Sequence, residues 1–278
     1  MMRKVAGTVA LFVTTGLLVV HGAGGEQATI PQKPQQPDKA TLAELCARAE
    51  RSEAEAQFNL GQMYDEGLGV PQDATQAVAW FRKAAEQGHA EAQASLGMTY
   101  LLGRGVPKDA AQAVTWFRKA AEQGLAYAQL ILGGAYAEGR GVPKDAAQAV
   151  TWFRKAAEQG LADAQYNLGG AYAEGRGVPK DAAQAVAWLR KAAEQGVPDA
   201  QFVLGQMYDK GLGVPQDVIE AYKWVSLAAT PPPGFYYAKE QFAKFRDQIA
   251  EKMTLAQIAE AKKRAREWTE AVERRQKK

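Results

Sequence analysis

The chain has 278 residues, a formal net charge of +3, 23% charged residues, one cysteine and two histidines. Its length is enough for a sizeable core, and its near-balanced charge gives no electrostatic footprint for nucleic acid. A single cysteine rules out an internal disulfide framework.

Residues 1–24 read as an export signal. Arg3 and Lys4 form a charged start, an apolar run of 16 residues follows from Val5, and Gly22, Ala23 and Gly24 are small enough for cleavage. The run is shorter than the roughly 20 residues of a spanning helix, so no stable membrane insertion is expected and an uncleaved anchor is the alternative. The expected location is periplasmic or secreted. Loss of Arg3 and Lys4 leaves a mature charge of about +1. Residues 25–40, with Pro31, Pro34 and Pro37 among glutamines, read as a linker too polar to pack.

From residue 54 one unit recurs. Its starts are Ala54, Ala90, Ala126, Ala162 and Pro198, each 36 residues after the last, which divides 54–233 into 54–89, 90–125, 126–161, 162–197 and 198–233. A fixed period of this length marks a repeat array. In the third copy, Ala128, Leu132 and Tyr136 fall four apart, on one face of a helix over about 126–138. Gly133 recurs in mid-helix as Gly61, Gly97, Gly169 and Gly205. A helical glycine costs about 1 kcal/mol against alanine, so its recurrence predicts close approach of a neighbouring backbone. Asp145 with Gln148 three residues on has the spacing of a capping box. The helix that follows is expected to bury Ala149, Trp152, Phe153, Ala156 and Ala157, and Gly160 to end it in a left-handed conformation.

One such hairpin cannot cover its own apolar face, but a stack can. The predicted fold is all-α: a right-handed α-solenoid of helix-turn-helix repeats with N- and C-terminal capping helices. Residues 41–53 align with the second half of the unit, with Leu45 and Ala49 in register and Glu44 where the full copies have Trp, and read as the N-terminal cap. Cys46 reads as a small residue of that helix. Residues 218–230 depart from the pattern, and Pro231-Pro232-Pro233-Gly234 replaces the usual helix stop. Residues 234–278 are the expected C-terminal cap. A helix from about Phe235 carries Phe242, Phe245 and Ile249. A capping box of Thr254 and Gln257 opens another, with Ile258, Ala265, Trp268 and Val272. The basic C-terminal end suits a helix dipole, with weak attraction to an anionic membrane surface as the alternative.

The recurring A-x-A-Q-x-x-L-G-x-x-Y-x-x-G-x-G-V-P-x-D-x-x-x-A-x-x-W followed by AAEQG closely resembles the Sel-one-like repeat, a relative of the tetratricopeptide repeat. The match covers residues 54–230, and the M-T-x-x-Q-I-A-E-A segment from Met253 is similar to the tails of many bacterial members. The resemblance implies a curved superhelix acting as an adaptor or scaffold for other proteins, with no shared catalytic residues. Relatives that bind β-lactams carry a Cys pair in each repeat, and this chain has none, so that activity is not implied.

In a repeat array, positions identical in every copy hold the stack, while positions that differ are free to read a partner. On the first helix the differing positions share one face. They give groove candidates Glu91, Met98, Leu102, Tyr127, Ile131, Asn167 and Gln206. If first helices line the concave side, as in related repeats, the groove has an apolar centre and amide or acidic flanks. That suits an extended or helical peptide held by a few anchors. The competing reading buries part of this apolar set between copies. A second set is a basic loop ladder: Arg104, Arg140 and Arg176 with Lys108, Lys144 and Lys180. It is expected to be solvated, with an anionic glycan, lipid or acidic protein as the alternative partner.

The mature chain holds one His, His89, and one Cys, Cys46, on different units, a poor catalytic pair. No clustered ligands at metal spacing and no phosphate-cradling loop in a strand-to-helix context occur. No enzyme, cofactor or metal is expected. The expected partner is a protein or peptide of the cell envelope, with peptidoglycan or another anionic glycan as the alternative. The recurrent Trp and Tyr residues sit at stacking positions, which favours protein over sugar.

Overall fold

The computed structural model describes residues 39–230 and 239–276. Lys39 and Ala40, read as linker, open the first helix, while the signal reading, the linker reading up to residue 38, Pro231–Gly234 and the predicted start at Phe235 lie outside the described residues. Among these there are thirteen helices and no strands. A helix α1 (Lys39–Glu50) precedes five hairpins. These are α2 (Ala54–Glu66) with α3 (Ala74–Glu86), α4 (Ala90–Leu102) with α5 (Ala110–Glu122), and α6 (Ala126–Glu138) with α7 (Ala146–Glu158). Then come α8 (Ala162–Glu174) with α9 (Ala182–Glu194), and α10 (Pro198–Lys210) with α11 (Val218–Ala228). Two further helices, α12 (Lys239–Ala250) and α13 (Leu255–Gln276), follow. Each helix packs on its hairpin partner and on the adjacent helix of the next hairpin, which makes an α-solenoid.

The hairpin is built by local signals. Asp145 caps α7 by accepting from the Ala147 and Gln148 amides at 2.9 and 3.0 Å. The expected return bond from Gln148 is not made. The Asp145 amide instead donates to the Tyr136 carbonyl at 2.9 Å, which ties the loop across its own base. At the far end Gly160 adopts φ +93. Its amide and that of Leu161 bond the Ala157 and Ala156 carbonyls at 3.0 and 3.2 Å, a Schellman closure. Thr254 and Gln257 form the full reciprocal box: Gln257 Oε1 accepts from the Thr254 amide at 2.8 Å and Thr254 Oγ1 accepts from the Gln257 amide at 3.2 Å.

The recurrent mid-helix glycine has a different cause from the one predicted. A Cβ on Gly133 would lie 2.6 Å from the Phe153 ring, closer than the 3.2 Å to the Ala149 carbonyl. The close neighbour is a core side chain of the same repeat, with backbone second. True backbone crowding occurs at the loop glycines. A Cβ on Gly141, whose φ is +71, would sit 2.2 Å from the Ala110 carbonyl at the start of the preceding repeat's second helix. Glycine is required there on both counts.

Leu96, Leu132, Leu168 and Leu204, one per repeat, are fully buried beside invariant alanines. Burying such a side chain contributes about 1.5–3 kcal/mol. The stack is closed at both ends. Leu42, Leu45 and half-buried Cys46 of α1 pack on Leu60. Ile249 and Ala261 of α12 and α13 are buried against Tyr222 and Val225 of α11, with Phe245 and Ile258 packed beside them. Trp268 meets Trp224 edge-on at 6.1 Å. Among the described residues no helix is long and apolar enough to cross a membrane.

Candidate functional site

Three side-chain ladders consume residues that recur through the array, the first Gln, the Tyr and the Trp in all five copies and their Gln, Arg and Lys partners at one register in the first four. Gln129, buried in α6, donates to the Ala121 carbonyl of the preceding repeat at 3.1 Å. Its own Oε1 accepts from Gln159 of α7 at 2.8 Å. Gln57, Gln93 and Gln165 are used in the same two ways, and Gln201 donates likewise to Ala193. Arg118 of α5 donates to the Tyr136 hydroxyl of the next repeat at 2.8 Å, as Arg82, Arg154 and Arg190 do to Tyr100, Tyr172 and Tyr208. Each of the five repeat Trp carries a lysine over its ring, Lys155 over Trp152 at 4.2 Å and Lys83 over Trp80 at 3.8 Å. The glutamines stand in the consensus, but nothing in their spacing showed that they bridge repeats.

What remains is the variable face of the first helices. Leu102, at 39% exposure, and Glu91 are exposed. Tyr127, Asn167 and Gln206 are half-buried. Met98 and Ile131 are also half-buried, each with one side against the core cluster around Leu132. The apolar centre is therefore a shared wall, part core and part surface, with Leu102 its most open member. Asn167 donates to its own helix at the Asp163 carbonyl, 2.8 Å away. At Gly170 a Cβ would meet only Arg176 Nη2, at 3.8 Å, so the face is open there.

Three groups on this side of the stack are shifted from their ordinary range. Asp163 is accessible to solvent, yet its carboxyl is pushed above the usual range, first by desolvation and then by the charge of Asp199. Burial likewise raises Tyr127, with Asp163 adding to it. Tyr166 is pushed up to about 12, by burial first and then by Asp199 and Glu174, against Arg176. Both phenols are neutral hydrogen-bonding groups at pH 7. Glu55, Glu91, Tyr127, Asp163 and Asp199 hold the same register in successive copies, a mostly acidic row beside the apolar centre.

His89 is more than a loop residue. It precedes α4, where Nδ1 accepts from the Ala92 amide at 3.3 Å. Nε2 faces Glu55 Oε2 of the preceding repeat at 2.8 Å, and the ring stacks on Phe58. The imidazole is thereby held as a structural cap.

The basic ladder is exposed throughout and only partly available. Arg140 pairs with Glu138, and Arg176 with Glu174 at 2.8 Å. Arg104 has Leu102 in place of the acid and makes no ion pair among the described residues. Lys108, Lys144 and Lys180 make none either, and their Cβ atoms pack over Gly103, Gly139 and Gly175. Among the described residues no cluster of three or more His, Cys, Asp or Glu is placed to hold a metal.

The Sel1 repeat family pattern matches residues 54–89, 90–125, 126–161, 162–197 and 198–230, more than half of the chain. The chain belongs to the Sel1 repeat family. Proteins built from Sel1 repeats are generally protein-interaction scaffolds and mostly non-enzymatic. Among solved structures, this Sel1 repeat chain is similar to a Sel1 repeat protein from Oxalobacter formigenes. The two are 34% identical, with a TM-score of 0.71, over 85% of this chain and 93% of the other. It is also similar to c5321, a protective antigen of uropathogenic Escherichia coli strains with the same repeat fold. Identity there is 48%, with a TM-score of 0.66, over 68% of this chain, which spans only 40% of that antigen's length. No curated protein matches the chain.

Proposed function

We propose that this Sel1 repeat protein is an exported, non-enzymatic scaffold that holds a protein or peptide segment against the variable face of α2, α4, α6, α8 and α10. One observation carries the reading. The glutamine, tyrosine and tryptophan shared by all five copies, with their Gln, Arg and Lys partners in the first four, are spent on the ladders, while the first-helix face varies. Leu102 and the outer sides of Met98, Ile131 and Tyr127 supply apolar anchors; Asn167 and Gln206 supply polar flanks. The acidic row, Glu91 and Asp163 included, favours a segment with basic residues beside its anchors.

A second reading is peptidoglycan or another anionic glycan on the basic edge. Lys108, Lys144, Lys180 and Arg104 support it. Arg140 and Arg176 are already neutralised, and the lysines over the Trp rings leave no open platform for a sugar.

The export and envelope location rest on residues 1–24. The test compares partners crosslinked in the cell envelope to the wild type and to Glu91→Lys/Leu102→Glu, a pair of exposed positions. A protein captured by the wild type alone supports the groove. Equal capture by both overturns it. Retention of cell-wall material with no protein replaces it with the glycan reading.

A further inference from the structure

We propose a second binding site, in the C-terminal cap, for a phosphate monoester carried on a short apolar body. A pocket of about 350 Å³ lies between α11, α12 and α13, at the small end of ligand sites. Leu227, Ala265 and the Tyr222 ring give it apolar surface. Three cations line it: Arg246 from α12, and Lys262 and Arg266 one helical turn apart on α13. Glu270 is the one acid in the lining.

Two features separate this pocket from an ordinary charged surface. The first is that two of its three cations are left over. Neighbouring Arg264 is engaged by Glu220 and Glu260 at 3.0 and 2.9 Å, and Lys263 by Glu267 at 3.9 Å. Lys262 and Arg266 make no ion pair or hydrogen bond among the described residues. Arg246 is fixed by Asp247 at 2.7 Å.

The second is an unmade hydrogen bond in the wall. Ser226 Oγ is buried with no partner among the described residues. The Tyr222 side chain is only 5% exposed, and its hydroxyl, which keeps access to solvent, makes no hydrogen bond among the described residues. The other two hydroxyls are committed, Thr230 to the Ser226 and Leu227 carbonyls and Thr269 to that of Ala265. Buried hydroxyls are rarely left unpaired, and hydrogen bonds to an ionised oxygen are the strong ones. An oxyanion seated against Lys262 and Arg266 would accept from Ser226 and Tyr222. Two unpaired cations beside a fixed guanidinium match a dianion better than the single charge of a carboxylate. A phosphate monoester fits that charge, with its apolar part on Leu227 and Ala265.

The test is calorimetric titration of the full chain with phenyl phosphate, inorganic phosphate and benzoate, at ionic strength fixed with sodium chloride. The expected result is saturable binding of phenyl phosphate, with a Kd below about 1 mM, tighter than benzoate. Lys262→Gln/Arg266→Gln should weaken it at least tenfold, and Ser226→Ala severalfold. Neither cation holds the fold together, so the double variant should keep the wild-type melting temperature. Competition by vesicles containing phosphatidic acid would assign the head group to a lipid. That outcome keeps the proposal. Inorganic phosphate binding as tightly as phenyl phosphate would overturn it, since the apolar body would then contribute nothing. Equal affinity in the double variant, absence of saturable binding, or tighter binding of benzoate would each overturn it.

Discussion

Gln159 Nε2 donates to Gln129 Oε1 at 2.8 Å, across 30 residues of sequence, while Gln129 Nε2 reaches the Ala121 carbonyl at 3.1 Å. One buried amide thus joins the end of one repeat to both helices of the next. It adds a second bond to the Ala121 carbonyl in the last turn of α5, which the Gly124 amide already holds at 3.1 Å.

Truncating it should be costly. Replacing Gln129, at 4% exposure, removes two hydrogen bonds at once, one to the Ala121 carbonyl and one from Gln159, and leaves the carbonyl only the Gly124 amide. Gln129→Ala is expected to destabilise by about 1–3 kcal/mol. Gln159 is exposed, so water can replace it, and Gln159→Ala should cost under about 1 kcal/mol. Chemical denaturation of both variants checks this. Equal losses would mean that the buried bond from Gln129 to the Ala121 carbonyl adds nothing beyond the Gln129–Gln159 pair.

The recurrent glycines give a graded series. A Cβ at Gly133 meets the Phe153 ring at 2.6 Å, whereas at Gly97 the nearest Phe117 atom is 3.1 Å away. Overpacking a core typically costs 1–3 kcal/mol, so Gly133→Ala should lose about that much. Alanine's helix propensity returns about 1 kcal/mol at both sites, so Gly97→Ala should lose less because its ring contact is looser. Melting curves of the two proteins test the order. If Gly97→Ala is the more damaging, ring crowding is not the reason for the glycine.

These two cases mark what the sequence could and could not convey. The period, the Asp145 cap, the Gly160 stop and the Thr254–Gln257 box are local patterns, and each is legible because its cause lies within a few residues. Gln129 and Gln159 are equally visible in the consensus. Their pairing, however, depends on how one hairpin is placed on the next, which no spacing encodes. Gly133 was recognisable as crowded, but the crowding group is a ring that reaches α6 through the hairpin fold. The groove was the least legible. Met98 and Ile131 lie on the variable face and also touch the Leu132 core. An apolar residue in a solenoid serves both roles, and its type does not divide them.

The C-terminal cap should be sensitive to acid. Burial pushes the Glu220 carboxyl up, but bonds from Lys223 at 2.7 Å and Arg264 at 3.0 Å outweigh it and hold the pKa below the usual range. A depressed carboxylate stabilises the fold at pH values above its unfolded pKa, and that contribution is lost as pH falls through the folded value. Docking of α13 on α11 should therefore weaken below about pH 4. Glu220→Gln is expected to cost about 1–3 kcal/mol at pH 7 and to approach the wild type near pH 3. A constant difference across that range would show that the charge of Glu220 is not what docks the cap.

Asp163 should behave in the opposite sense. Desolvation, and then Asp199, raise its pKa above that of the unfolded chain. The unfolded chain therefore gives up this proton first. Stability falls as pH rises from the unfolded pKa through the folded one, and stays lower above it. Asp163→Asn removes the penalty and leaves the Asn167 bond, which goes to the backbone carbonyl of residue 163. The gain at pH 7 should be small, under about 1 kcal/mol, because the carboxyl retains access to solvent. At pH 3 the two proteins should melt together. A lower melting temperature for Asp163→Asn at pH 7 would mean that the carboxylate is stabilised in the folded chain. A gain would mean that the groove keeps a charge at the expense of the unbound fold, which is the trade expected where a basic partner segment supplies the missing neutralisation.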